Sequence, residues 1–434
     1  GRSITGLFDL FSLLLIYFSL KNITNNRITP LIGAFIFAIM PFEIIHAHFL
    51  RAHIYGNFGI ALVIYLSTLL YKNHDSTKHF VAIGLACGLA TAARYTLVMS
   101  ILIPGFIYWG IILSGIQSSK TKMVQSIIRL LKDKKIYLML GAFLLGFFII
   151  DPFLFLKFKK AKAALELMAT YTAKDEFSII NLLNLSRVWV YISHLIPFGT
   201  LPFLWIMLYF SFIYLIFRKK LYSISLPFIL FALFYIYPMA KGYAFPDFIR
   251  ATLPLFPVLA ILTAIALGDL FTRIQKNSFQ WIFVLMVFLI TVPTVIYDWA
   301  YVSAMSRDDS RIQLYKFFNE HSDVNNPTRI GLYYADGYNY FMINPTLDAL
   351  GGKIKYSNHN NAQYLVFYAS ATSDFQLAQQ RVEELQKSGQ FELVKIFENP
   401  IQFYNHSFKT DNYPHDLLYP FPKLYLMKNK KNDL

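Results

Sequence analysis

Apolar runs recur along the first 300 residues of this chain, at 3–20, 28–42, 54–71, 80–93, 96–114, 136–150, 198–217, 221–240, 251–268 and 279–297. A helix needs about 20 apolar residues to cross the hydrocarbon of a bilayer. Backbone groups in lipid have no water to bond, so runs of this kind must be helical. About ten spans are therefore expected, several of them short. Composition agrees, because 56% hydrophobic residues, 15% charged residues and a mean hydropathy of +0.44 are too apolar for a soluble globular chain of 434 residues. Tyr71, Trp109, Trp205, Trp281 and Tyr297 fall near run ends, where aromatic rings sit at the headgroups. The single cysteine, Cys87, excludes an intramolecular disulfide and a thiolate metal site.

In a soluble chain a net charge of +15 would point to nucleic acid. Here the basic residues collect in alternate turns: Lys21 and Arg27; Lys72 and Lys78; Lys120, Lys122, Arg129, Lys132, Lys134 and Lys135; Arg218, Lys219 and Lys220; Arg273 and Lys276. Cytoplasmic loops accumulate Lys and Arg, so these five turns are expected in the cytoplasm and no nucleic-acid partner is expected. The opposite turns, 43–53, 94–95 and 241–250, carry only Arg51, Arg94, Lys241 and Arg250. A longer outer segment at 151–197 holds Lys157, Lys159, Lys160 and Lys162, against the trend.

After Tyr297 the pattern changes. Helices are expected at 310–320 and 374–388, with strands at 329–334, 364–368, 391–397 and 423–427. The expected organisation is a polytopic α-helical membrane domain, 1–297, followed by a small extracytoplasmic α/β domain, 298–434. Gly1-Arg2-Ser3 enters an apolar run with neither an initiator Met nor a signal peptide, so an N-terminally truncated fragment is expected.

The densest polar stretch is PFEIIHAHFLRAHIYGN at 41–57, which places Glu43, His46, His48, Arg51, His53 and Asn57 between two outer span ends. Ionisable groups at a membrane edge point to function unless they are merely solvated. Histidine and carboxylate suit a divalent metal, and arginine suits a phosphate. The alternative is a solvated loop with its imidazoles among the headgroups. Arg94-Tyr95 is a second outer site, or else an arginine snorkelling to the interface. The third is KGYAFPDFIRATLPLFP at 241–257, with Lys241, Arg250, Pro254 and Pro257; an Asp247–Arg250 helix-start pair is its plain reading. Together the three loops predict one electropositive outer pocket suited to an anionic lipid headgroup. No phosphate loop, zinc-protease motif or nucleophile elbow is present.

The order of these features resembles the polyprenyl-phosphate-sugar-dependent glycosyltransferases of the GT-C fold, the group that includes protein O-mannosyltransferases and the lipid A aminoarabinose transferase. The resemblance covers nearly the whole chain. Its carriers are Gly1-Arg2, PFEIIHAHFLRAH (41–53), AARYT (92–96), DPF (151–153), HLIPFG (194–199), RATLPLFP (250–257), SRDDSRIQLYKFFNEH (306–321) and FPKLYLM (421–427). Three positions depart from the family pattern: Arg94 for Lys, Ala251 for Tyr, and His53 for a second acidic residue.

The resemblance implies an inverting transfer of a sugar from a polyprenyl-phosphate donor to a hydroxyl of a lipid, glycan or protein acceptor, at the outer face of the inner membrane. It puts the catalytic Asp upstream of Gly1, so the fragment is expected to be inactive. It implies donor-phosphate binding by Arg51, Arg94, Tyr95, Lys241 and Arg250, and a divalent metal ion at His53, His48 and Glu43. A polytopic transporter or lipid flippase, or an inactive scaffold of the same fold, are the competing readings; no internal repeat favours the transporter.

Overall fold

The computed structural model describes residues 2–49, 52–115, 122–172, 185–242, 249–334, 340–369, 372–409, 417 and 420–432. The chain divides into two compact units, Gly1–Val295 and Ile296–Leu434.

The first unit is helical. Its principal helices are α1 (Arg2–Ile23), α2 (Ile28–Ala38), α3 (Pro41–Ala47), α4 (Ala52–Thr68), α5 (Thr77–Ala93), α6 (Leu102–Ser114), α7 (Lys122–Lys132), α8 (Lys134–Ile150), α9 (Phe158–Thr172), α10 (Pro202–Phe217), α11 (Tyr222–Gly242), α12 (Phe256–Arg273) and α13 (Asn277–Ser306). Every apolar run is helical over most of its length. Among the described residues, six helices are long and apolar enough to cross a membrane, or seven if α2 and α3, bent by 62°, form one broken span. The chain is a multi-pass membrane protein.

The sequence reading of about ten spans exceeds this number because backbone breakers interrupt two runs and two more, α5 and α8, form helices of only 17 residues. Pro41 starts a new helix after α2, as a residue without an N–H can only do in a first turn. Leu201, at φ 63°, breaks the 198–217 run just before Pro202 opens α10. Two turns of 3₁₀ helix, Ile249–Ala251 and Leu253–Leu255, precede α12 around Pro254, and the span Leu253–Arg273 still counts among the six.

Small residues bring the helices together. A Cβ on Gly84 of α5 would lie 2.2 Å from the carbonyl oxygen of Met139 on α8, and one on Gly88 would lie 2.2 Å from that of Phe143. This small-xxx-small contact lets two backbones touch where lipid offers no hydrophobic drive. Likewise Gly59 of α4 meets Ala90 of α5, with an added Cβ 2.7 Å from the Ala90 methyl. Helices α7 and α9 occupy stretches that the sequence reading treats as loops, because amphipathic and basic helices carry no apolar run to announce them.

The second unit holds a five-stranded sheet in the order β2-β1-β3-β7-β4. Strand β1 (Thr328–Tyr334) runs parallel to β2 (Ile354–Tyr356) and β3 (Tyr364–Ala369); β7 (Lys423–Asn429) runs antiparallel to β3 and to β4 (Phe391–Phe397). Alternate residues of β3 face opposite cores: Val366 and Tyr368 pack with Leu314 and Phe318 of α14 (Ser310–His321), whereas Leu365 and Phe367 pack with Ala378 and Val382 of α16 (Thr372–Lys387). The six expected elements all form. The three-residue β2, the β5–β6 hairpin (Gln402–Phe403, His406–Ser407) and α15 (Tyr340–Asp348), which contains Pro345, are too short or irregular to announce themselves.

Candidate active site

The site lies at one end of the first unit, where the N-terminal ends of α1, α4 and α12 meet the C-terminal end of α5. Thr5 on α1 donates to the carbonyl of Ala47 at 2.7 Å and so ties α3 to the head of α1. Below it, Glu43 on α3 is buried, and Nδ2 of Asn57 on α4 donates to its Oε1 at 2.5 Å. Asp9, one turn beyond Thr5, interacts electrostatically with Glu43. Oε2 of Glu43, Oδ1 of Asp9 and Oδ1 of Asn57 are buried acceptors without a hydrogen-bond partner among the described residues.

Beside this layer the imidazoles of His46 and His53 stand edge to face, 5.5 Å between centroids, so the bent α3 and the first turn of α4 each contribute one ring. Phe42 packs against His46 at 4.4 Å and against Phe256, the first residue of α12, at 6.1 Å. The contact brings α12 to the histidines.

The two arginines arrive from distant parts of the sequence. Arg94 ends α5 in extended conformation, and its Nη1 donates to the backbone carbonyl of Arg250 at 2.9 Å. A Cβ on Gly56 of α4 would touch Leu97 at 2.8 Å and the Arg94 Cβ at 4.0 Å, so the missing side chain seats α4 against this turn. The hydroxyl of Tyr235 donates to the Ala251 carbonyl at 3.1 Å and holds the turn from α11. Just beyond Arg250, Leu255 and Leu259 join Ile192, Ile196, Trp205 and Ile236 around an apolar cleft of about 150 Å³.

The sequence-predicted residues thus divide. Arg94, Arg250, His53 and Glu43 belong to this end of the unit, with His46 and Asn57. Tyr95 turns elsewhere, its hydroxyl donating to Asp151 Oδ2 at 2.6 Å. Arg51 and the side chain of Lys241 lie outside the described residues, as does Asp247.

The expected metal set of His53, His48 and Glu43 does not assemble. Among the described residues no three His, Cys, Asp or Glu side chains gather so as to hold an ion. Glu43 is turned onto Asn57, while His48, five residues on, folds back so that Nδ1 donates to the Ile44 carbonyl at 2.7 Å. Among the described residues, these side chains do not fit a metal centre.

Sequence reasoning passed over Asp9. Its signal was a lone carboxylate seven residues into an apolar run, which in a span marks a functional position.

No protein-family model matches the chain, and no curated protein sequence matches it. Its backbone is similar to that of the ArnT of Cupriavidus metallidurans, in the apo state and bound to undecaprenyl phosphate, at 11% and 12% identity and a TM-score of 0.45; each match covers 98% of this chain and 83% of that one. It is also similar to the oligosaccharyltransferase of Archaeoglobus fulgidus in complex with Zn and sulfate, at 12% identity and a TM-score of 0.43, over 84% of this chain and 55% of that chain.

Proposed function

We propose that the protein is a membrane glycosyltransferase that takes a sugar from a polyprenyl-phosphate donor and passes it to an acceptor hydroxyl, at the face opposite the basic turns. The observation that carries this reading is the junction of Arg94 with Arg250 beside an apolar cleft. A lipid-linked phosphate presents one anionic group at the end of a long apolar chain, and here the turn that carries Arg250 leads within five residues to Leu255, which lines the cleft.

In the reaction the acceptor oxygen bonds to the anomeric carbon, a general base takes its proton, and the carbon–oxygen bond to phosphate breaks with its electron pair on the phosphate oxygen. Charge therefore grows on the phosphate. Fixed guanidinium groups in a water-poor site stabilise that growth without reorganising. The bond from Arg94 to the Arg250 carbonyl holds the Arg94 guanidinium against the turn that carries Arg250, and on this reading both cations serve the same phosphate. Of the two imidazoles at this end, His46 is buried and only His53 is partly exposed. On this reading the face is extracytoplasmic, and the acceptor is a lipid, a glycan or a protein.

The test is Arg250→Ala in full-length protein reconstituted with a polyprenyl-phosphate sugar. The substitution keeps the backbone carbonyl that receives Arg94, so the protein should still insert and fold, while transfer falls by about 10²–10³. Wild-type transfer would overturn the assignment. So would donor-dependent lipid movement with no glycosyl product, which is the behaviour of a flippase.

A further inference from the structure

Helix α7 docks by its edge and leaves its apolar face open. At 100° per residue, Met123, Val124, Ile127, Ile128 and Leu131 fall on one side, and Gln125, Arg129 and Lys132 on the other. Contact with the neighbouring helix is made at the border between the two sides. There Ser126 is fully buried, and its Oγ accepts a hydrogen bond from Trp109 Nε1 of α6 at 2.8 Å. The apolar side chains remain 40–60% exposed. A helix that packs on protein through its apolar face shows the reverse arrangement.

Two further observations say what covers that face. The hydroxyl of Tyr137 on α8 donates to the Leu131 carbonyl at 2.7 Å, so the apolar side of α7 runs on into the exposed side of α8, with Tyr137, Leu138, Leu144 and Leu145. Next to it stands surplus positive charge. Between residues 122 and 135 the one acid, Asp133, caps α8 by accepting from the Lys135 amide at 2.9 Å and also accepts from the Tyr108 hydroxyl. Lys135 turns to Asp75. Arg129, Lys132 and Lys134 are exposed and form no ion pair among the described residues.

We propose that α7 lies in the plane of the membrane interface, its apolar face among the acyl chains, and that Arg129, Lys132 and Lys134 hold anionic phospholipid headgroups of that leaflet. Apolar burial together with attraction to acidic lipid is how interfacial helices bind. The surface lies at the basic end of α8, away from the arginine site, and does not depend on the proposed activity.

The experiment uses the full chain in nanodiscs of phosphatidylcholine, with and without phosphatidylglycerol. An environment-sensitive fluorophore at Val124→Cys, in a Cys87→Ala background, should emit as from hydrocarbon and resist aqueous iodide, whereas the same label at Gln125→Cys should be quenched. Spin-labelled phosphatidylglycerol should associate about threefold or more better than spin-labelled phosphatidylcholine. In Arg129→Gln/Lys132→Gln/Lys134→Gln, which alters exposed side chains only, that preference should vanish. Equal quenching at 124 and 125 would overturn the placement. An undiminished preference in the triple variant, or none in wild type, would overturn the headgroup assignment.

Discussion

The two ends of the first unit treat charge in opposite ways. At the basic end the carboxylates are satisfied: Asp269 accepts from Arg218 Nε at 3.2 Å, from Arg273 Nε at 2.9 Å and from the Tyr214 hydroxyl, and Asp75 accepts from Lys135 at 2.8 Å. Even the neutral groups are linked, since Asn22 donates to Thr68 and receives Lys72. At the arginine end Glu43 has an amide for its partner, and neither Glu43 nor Asp9 forms an ion pair among the described residues, although Arg94 and Arg250 belong to the same end of the bundle. The carboxylates of the basic end are thus all partnered, while Arg129, Lys132 and Lys134 there stay exposed in excess of them. Buried acceptors without a hydrogen-bond partner among the described residues, Oε2 of Glu43 and Oδ1 of Asp9, cost stability that packing elsewhere has to offset.

The largest effect should come from separating the arginine end without touching the basic one. In Gly59→Leu the new side chain meets the Ala90 backbone, whose Cα lies 2.9 Å from an added Cβ, and α4 must leave α5. His53 and Asn57 then move away from Arg94. Overpacking of this kind costs about 1–3 kcal/mol, so thermal unfolding of the reconstituted protein should drop clearly and transfer should be lost. An unchanged melting temperature with normal transfer would show that the α4–α5 contact does not build the site.

A matched pair of substitutions tests the contrast directly. Asn57→Leu removes the only hydrogen-bond donor to the buried Glu43 carboxyl among the described residues and should destabilise by about 1–3 kcal/mol. Asp269→Asn keeps an acceptor for Tyr214 and for one arginine, and Arg273 is 47% exposed, so water takes up much of the loss and about 1 kcal/mol or less is expected. Chemical unfolding of both variants in one detergent decides the matter. Equal penalties would mean that the two ends are held in the same way.

The helical segments, the six main elements of the second unit and the polar stretch around Glu43 were legible in the sequence, because apolar runs and period-two strands are local signals. Arg94 and Arg250 were legible as candidates, being rare cations on a charge-poor face. Their junction was not, since it pairs a side chain with a backbone carbonyl 156 residues away and no side-chain pattern records that. The expected ligand set of Glu43, His48 and His53 did not assemble for a related reason: Glu43 and His48 look adjacent in sequence, yet a seven-residue helix and its cap turn them to different partners. Gly84 and Gly88 did carry a readable signal, a GxxxG spacing within an apolar run, which a search for spans alone passes over.

The smallest expected effect lies at the basic end and shows whether its pairing survives in solution. Lys135 beside Asp75, first by its hydrogen bond and then by its charge, holds that carboxyl below the usual carboxylate range. A folded-state value below the unfolded one means that the pair adds stability above the ordinary carboxylate pKa of about 3.9 and loses it as pH falls through the lowered folded value. Asp75 is fully exposed, so the measurement is the titration itself. With Asp carboxyl carbons labelled, the Asp75 midpoint should lie below about 3.9 in the wild type and return there in Lys135→Gln. Salt at about 1 M should move it the same way, because the Debye length then falls to about 3 Å. If the midpoint is ordinary in the wild type and indifferent to Lys135, the exposed pair is absent in solution, and the contrast between the two ends rests on Asp269 against Glu43 alone.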